Sequence, residues 1–296
     1  MTCTSPAEAW VTNSGLTFKR IRGHYSESMP PIHIPCRNCV SCRIDRTREW
    51  TTRIIHEAQL HEDNMFVTLT YDDLHLPRDK SLHHSHFQEW VQKLRNYARY
   101  SEGRKVRYYM CGEYGEKLGR PHYHAIIFNY RYPDLRTFGK NVLGSEKCLK
   151  QWGRGYVQIG NVSPQSAAYV AGYIQKKVTG ERAEEHYRYI DHETGETWML
   201  KPEYNQMSQG IGKEWFQKYG MTDFGTDPEN LICHIEGKPY PIPGYYLRLL
   251  KTSEPEQYEA IMQHRKQHAK KNQVERSELD RKNEAMKRTQ NKRGKL

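Results

Sequence analysis

His122 and His124, one residue apart at the head of the apolar run Ala125-Ile126-Ile127-Phe128, constrain this chain more than any other feature. Alternate residues of a strand point to one face, so an extended segment here places two imidazoles on the same side of a sheet. Upstream, Val106 to Gly112 alternates in polarity, Glu113 ends the alternation, and the connection from Gly115 to Pro121 suits a hairpin. In an antiparallel pair Glu113 lies beside both histidines. Two nitrogens and a carboxylate oxygen, with coordination positions left over, suit Mn²⁺, Mg²⁺ or another divalent ion that is open to a substrate oxygen. Glu116 is the rival third ligand while the hairpin register is open, and the competing reading is that the histidines simply pack or hydrogen-bond on a half-buried face.

A second element follows. Ser163-Pro164 reads as an N-cap with proline at the first helical position, and a helix is predicted from Gln165 to Val178, stopped by Gly180. Tyr169 and Tyr173 then share one face at i and i+4, with Lys177 one turn further. Tyrosines at this spacing commonly belong to a core. A phenol is also a nucleophile, and phosphodiester cleavage through a phosphotyrosine needs one next to a metal and a cation. Lys177 is the expected phosphate contact and Lys176 its alternative.

The strand Phe66-Val67-Thr68-Leu69-Thr70-Tyr71, His-Tyr-His at 122–124 and Tyr-x-x-x-Tyr at 169–173 together resemble the three motifs of the HUH single-strand DNA endonucleases. More closely, the chain is similar to the replication initiation proteins of gokushovirus-type microviruses, small single-stranded DNA bacteriophages. That likeness also takes in Cys3 to Pro6, Pro35 to Cys42, the segment Gly112 to His124, and Gly210-Ile211-Gly212-Lys213-Glu214. It implies a rolling-circle initiator that nicks and rejoins origin DNA through a 5′-phosphotyrosine, with Tyr169 and Tyr173 as nucleophiles and Glu113, His122 and His124 holding the ion. It also implies action in the host bacterial cytoplasm beside a host helicase and DNA polymerase.

Cys36, Cys39 and Cys42 recur every three residues, and a tetrahedral zinc site built on them needs one more ligand, from Cys3, His33 or elsewhere. Ordinary free thiols are the alternative. Seven cysteines, an odd number, and no apolar leader at the N-terminus argue for reduced thiols rather than a disulfide framework. His83, His84 and His86 form another cluster, but Ser85 and Gln88 read as a capping box, which puts it at a helix entrance. Asp72 and Asp73, after the first core strand, are candidates to support the metal through its ligands.

Lys and Arg number 46 against 35 Asp and Glu, and 21 tyrosines supply stacking surfaces. Basic charge with interleaved aromatics suits single-stranded nucleic acid, although a solvated basic surface also accounts for it. No apolar run approaches the roughly 20 residues needed to cross a bilayer. Gln209 to Lys213 precedes a predicted helix and offers amides to a DNA phosphate. It is not a P-loop, because Met207 stands where the first glycine belongs and Glu214 follows the lysine. Unwinding therefore falls to a separate helicase.

The predicted order is a helix over about Asp45 to Leu60, a strand from Met65 to Tyr71, a helix through Trp90, Val91, Leu94 and Tyr97, the two hairpin strands, an irregular insertion over 130–144, a short helix from Ser145 to Trp152, a strand from Tyr156 to Val162 and the tyrosine helix. This is an α+β chain with a ferredoxin-like antiparallel sheet. The expected divisions are a Cys-rich arm and helix over 1–62, the endonuclease core over 63–180, an accessory region over 181–250 that includes a hairpin around Glu193-Thr194-Gly195, and a basic tail over 251–296, helical or disordered. The competing function is a non-catalytic, zinc-containing single-stranded nucleic-acid-binding protein. It leaves the histidine and tyrosine pairs unexplained.

Overall fold

The computed structural model describes residues 3–12, 15–18, 31–115, 119–138, 142–173, 177–178, 180–191, 194–223, 232–271 and 276–293. In chain order come β1 (Ala7–Thr12), β2 (Gly15–Thr17), β3 (Ile32–Ile34), α1 (Val40–Ala58), β4 (Asn64–Tyr71), α2 (His84–Glu102), β5 (Arg107–Tyr114) and β6 (Pro121–Phe128). They are followed by β7 (Leu135–Phe138), β8 (Val142–Ser145), α3 (Glu146–Trp152), β9 (Gly155–Gly160), α4 (Pro164–Gly172), α5 (Arg182–Tyr187), β10 (Arg188–Ile190) and β11 (Thr197–Met199). The remainder is β12 (Tyr204–Met207), α6 (Lys213–Asp223), β13 (Ile232–Ile235), β14 (Lys238–Pro241), α7 (Gly244–Ser253), α8 (Pro255–Lys271) and α9 (Arg276–Arg293).

The chain forms two compact units, one of residues 1–47 with 254–296 and one of residues 48–253. In the first, β1 pairs antiparallel with β2 and β3. Near its N-terminus the Thr4 hydroxyl bonds to Asn283 Oδ1 at 2.9 Å, which ties the start of the chain to α9. The basic tail is helical over the described residues.

The second unit is built on a seven-stranded sheet in the order β12-β5-β6-β4-β9-β8-β7, antiparallel at each pairing. The period-2 pattern sends alternate residues of one strand into two different cores. Met65, Val67, Leu69 and Tyr71 of β4, with Tyr123, Ala125 and Ile127 of β6, pack against Phe87, Trp90, Val91 and Leu94 of α2 and Trp152 of α3. On the opposite face Ile126, Phe128, Tyr109 and Cys111 meet Ile54 and Ile55 of α1 and Ala167, Val170 and Ala171 of α4. Both faces are thus covered by helices. The insertion expected to be irregular over 130–144 contains β7 and most of β8, and their pairing widens the sheet.

Several boundaries move for identifiable reasons. α1 begins at Val40, so Cys42 lies in its first turn, and it ends where the Asn64 side-chain amide bonds to the carbonyls of Ala58 and His61 at 3.0 and 2.9 Å. The N-cap of α2 is His83, which makes no side-chain cap, in place of the expected Ser85; its backbone N–H donates to the Tyr123 hydroxyl at 2.8 Å, so a tertiary contact fixes this helix entrance. β9 starts at Gly155, with φ +140°; a Cβ there would lie 2.2 Å from the Asp72 backbone nitrogen, so only glycine lets β9 approach β4 this closely. The β10–β11 hairpin stands where the sequence predicts a turn around Gly195, with Glu193 outside the described residues.

The tyrosine helix starts as its sequence requires. Ser163 accepts from the Ser166 N–H at 3.1 Å, Ser166 Oγ accepts from the Ser163 N–H at 2.9 Å, and Pro164 opens the first turn. It ends earlier than predicted, at Gly172, with Tyr173 as its C-cap. Residues 174–176 lie outside the described residues, and Lys177 and Val178 are not helical.

Candidate metal and tyrosine site on the central sheet

β5 and β6 pair so that Glu113 is directly opposite His122, while His124 stands between Cys111 of β5 and Thr68 of β4. Directly opposed residues share a face, so the register itself collects Glu113, His122 and His124 on one side. Glu116, the rival ligand, lies outside the described residues. Glu113 and His124 are both buried, and His124 Nε2 is 3.0 Å from Glu113 Oε1. His124 Nδ1 is 2.9 Å from the Thr68 hydroxyl. His122 Nδ1 lies 2.6 Å from the Arg120 carbonyl, which can only accept, so Nδ1 carries the proton and Nε2 keeps a lone pair. Burial lowers the His122 pKa, against the opposing pull of that carbonyl, and this favours the neutral imidazole a metal requires.

The three ligand atoms do not yet converge to 4.8 Å of one another. Glu113 and His124 bond to each other, and the two imidazole rings lie parallel with centroids 6.2 Å apart. The donor set nonetheless fits a divalent ion. A hydroxyl both donates and accepts, so Thr68 can take the proton of His124 Nδ1 and leave Nε2 as a ligand beside the carboxylate.

Both tyrosines reach this corner. The His124 ring is 5.1 Å from that of Tyr169, edge to face, and 5.2 Å from that of Tyr173, stacked. Their own ring centroids are 4.7 Å apart at 87°. They differ in access: Tyr169 is 48% exposed and Tyr173 6%. Burial first, then the hydrogen bond with Tyr169 and the negative charge of Glu113, hold the Tyr173 phenol well above its ordinary pKa. Phe66 of β4 packs edge-on against Tyr169 at 6.1 Å and stacks on His124 at 5.9 Å.

Thr68, Phe66 and Arg120 lie within the motif segments but receive no role from sequence alone. Their signal is positional, since Thr68 and Phe66 face the site only once β4 is known to pair with β6. Asp72 bonds to His75, at 2.7 Å from its Nδ1, and Asp73 pairs with Arg120. Asp73 therefore meets the site through the residue whose carbonyl holds His122. Of the other candidates, His83 bonds to Asp79 at 2.9 Å, His84 to Gln206 at 2.6 Å, and His86 to the Tyr71 hydroxyl at 2.7 Å. These three are tied to separate partners rather than to one ion. The amide of Gly212, offered to a DNA phosphate by the sequence, instead donates at 2.8 Å to buried Glu57, whose other oxygen pairs with Arg107. A protein carboxylate already occupies that position.

In the first unit the sulfurs of Cys3, Cys36, Cys39 and Cys42 lie within 4.8 Å of one another, so the fourth member of the cluster is Cys3 rather than His33. Cys3 Sγ is 3.6 Å from Cys36 Sγ and 3.8 Å from Cys39 Sγ. Four sulfurs at about 2.3 Å from a tetrahedral zinc are separated by about 3.8 Å. The Cys36 and Cys39 amides donate to Cys3 and Cys36 sulfurs, each at 3.3 Å, as support for thiolate ligands requires. This cluster can hold a metal such as zinc.

Comparison with known proteins follows the same residues. The family model for replication-associated proteins of the ORF2 and gene-2-protein type matches residues 64–178, the span from β4 past α4. Replication-associated protein VP4 of Bdellovibrio phage phiMH2K is 33% identical over 270 residues, covering 87% of this chain and 80% of that protein. Replication-associated protein ORF2 of Spiroplasma virus 4 is 30% identical, covering 74% of this chain and 68% of that protein. Replication-associated protein ORF4 of Chlamydia phage 1 is 29% identical, covering 77% of this chain and 56% of that protein. No solved structure matches.

Proposed function

On the premise that the chain belongs to the family of phage replication-associated proteins, we propose that it initiates rolling-circle replication as an HUH-type endonuclease. The observation that carries this is the packing of both tyrosine rings on His124, beside Glu113 and His122. The strand order β5-β6-β4-β9, with α2 and α3 on one face, agrees with a ferredoxin-like endonuclease core.

Single-stranded origin DNA binds beside half-exposed Tyr169, with its phosphates facing basic residues. Glu113, His122 Nε2 and His124 Nε2 would hold Mn²⁺ or Mg²⁺, which would supply polarisation of the scissile phosphate. Tyr169 makes the first cut, because it is half exposed while Tyr173 is buried and held protonated. Its phenolic oxygen attacks phosphorus as its proton passes to solvent. The P–O3′ bond breaks, its electron pair leaves with the 3′ oxygen, and that oxygen takes up a proton. The products are a 3′-hydroxyl and a 5′-phosphotyrosine. One ester replaces another, so rejoining needs no ATP. Tyr173, in contact with Tyr169, takes the second transfer after a round of copying and releases a circle. Lys177 is the proposed phosphate contact. Strand separation and synthesis come from a host helicase and polymerase in the host cytoplasm.

The test is nicking of single-stranded origin DNA with Mn²⁺, read on denaturing gels as protein-linked product. Tyr169→Phe is expected to lose the first covalent product, Tyr173→Phe to keep it but fail in circle release, and the double variant to lose both. His122→Ala and His124→Ala are expected to abolish nicking while DNA binding falls only modestly. Covalent product from the double variant, or undiminished cleavage by either histidine variant, overturns the assignment.

A further inference from the structure

Away from the tyrosines, His56 of α1, Asp223 at the end of α6 and Cys233 of β13 bring one ring nitrogen, one carboxylate oxygen and one sulfur within 4.8 Å of one another. Asp223 and Cys233 are near in sequence, and distant His56 joins them only in the folded unit. His56 and Cys233 have no solvent exposure. The His56 ring is fixed from three sides: Nδ1 lies 3.1 Å from the Tyr246 hydroxyl, and the ring stacks on Trp215 at 3.4 Å and on Tyr246 at 5.8 Å. Among the described residues its Nε2 is buried without a hydrogen-bond partner, and so is Asp223 Oδ2.

Two unsatisfied buried polar atoms, next to a buried thiol, are costly. Each has given up its hydrogen bonds to water with nothing in return, a loss that a shared partner recovers. They cannot satisfy one another through a single hydrogen bond without leaving the sulfur out, whereas one cation accepts all three.

We propose that His56 Nε2, Asp223 Oδ2 and Cys233 Sγ form a second metal site, for a zinc-class divalent ion, that pins α6 and the β13–β14 hairpin to α1. Mixed nitrogen, sulfur and oxygen donors select zinc over Mg²⁺ or Ca²⁺, which prefer oxygen alone. With three protein ligands, a water completes the tetrahedron. Tyr246 acts as the outer partner, accepting from His56 Nδ1–H and fixing the tautomer that presents Nε2. His56 thereby offers the ion the lone pair of Nε2. Its role is structural: α1 carries Ile54 and Ile55 into the core shared with Ala167, Val170 and Tyr173, so the ion would steady the support beneath the tyrosines.

The test is metal stoichiometry of the full-length protein. Parent, Cys233→Ser, His56→Gln and Asp223→Asn are equilibrated with Zn²⁺, desalted and assayed for zinc per chain, with circular dichroism as a check on folding. The parent is expected to hold a second structural zinc that Cys233→Ser and His56→Gln lack, beyond the zinc on the four-cysteine cluster and any on Glu113, His122 and His124, which all the variants share. Asp223→Asn, which keeps the side-chain shape, is expected to lose its second zinc to a chelator at least tenfold weaker than the parent requires, and it decides the matter if the buried variants do not fold. Equal zinc content and equal chelator resistance in the parent and every folded variant overturn the proposal.

Discussion

Thr68 supports His124 in either tautomer. Its hydroxyl, 2.9 Å from Nδ1, donates when Nε2–H bonds to Glu113 and accepts from Nδ1–H when Nε2 is to be a ligand. Thr68→Val removes that hydroxyl at constant shape. Mn²⁺ affinity, measured by calorimetry, is expected to fall by about 10–100-fold, the usual cost of losing such an outer partner. Folding stability should change by only about 1 kcal/mol, the net worth of one hydrogen bond. Unchanged Mn²⁺ affinity would remove Thr68 from the site. Glu113 and His122 were legible in sequence because a hairpin makes near neighbours into partners. Thr68 was not, because its contact crosses 56 residues and depends on which strand pairs with β6. Nor was the difference between the tyrosines: their spacing is symmetric, and only the packed sheet hides Tyr173 while leaving Tyr169 half exposed.

At the scale of elements, α1 and the loop entering α6 are joined through one buried carboxylate. Glu57 has no exposed surface; it pairs with Arg107 of β5 and accepts from the Gly212 N–H. Gly212 adopts φ +78°, and a Cβ there would meet the Tyr246 hydroxyl at 2.3 Å, so this turn admits no other residue without displacement. Glu57→Ala leaves the largely buried Arg107 guanidinium without its anion and is expected to cost about 3–5 kcal/mol, as loss of one member of a buried pair does. Chemical denaturation would measure it. A loss below about 1 kcal/mol would show that Arg107 finds solvent or a new partner instead. From sequence, this loop looked like a phosphate cradle because glycine amides before a helix are the local signature of one. The occupant, Glu57, comes from 155 residues away, and no local pattern announces it. The helix starts at Ser163-Pro164 and the hairpin at Gly195 were legible because caps and turns are written in adjacent residues. The early end of α4 was not.

At the scale of the whole chain, the alternation of β4, β5, β6 and β9 foretold an antiparallel sheet. Its extension by β12 on one edge and by β7 and β8 on the other escaped notice, since short edge strands carry little periodicity. The union of residues 1–47 with 254–296 in one unit was equally hidden, because it joins the two ends of the sequence. That union makes the four-cysteine cluster testable. Cys3 is adjacent to Thr4, whose hydroxyl bonds to Asn283, and Ser5 meets the same asparagine at 3.4 Å. Zinc on Cys3, Cys36, Cys39 and Cys42 would therefore fix the N-terminal segment that bonds to α9, and structural zinc contributes folding energy directly. Stripping zinc with a strong chelator, or Cys3→Ser, is expected to speed proteolytic release of the 254–296 segment at least tenfold, while residues 48–253 resist digestion as before. Readdition of Zn²⁺ should restore protection in the parent and not in Cys3→Ser. Equal release with and without metal would mean that the hydrogen bonds to Asn283 hold the tail by themselves. The cluster would then be four reduced thiols with no structural ion.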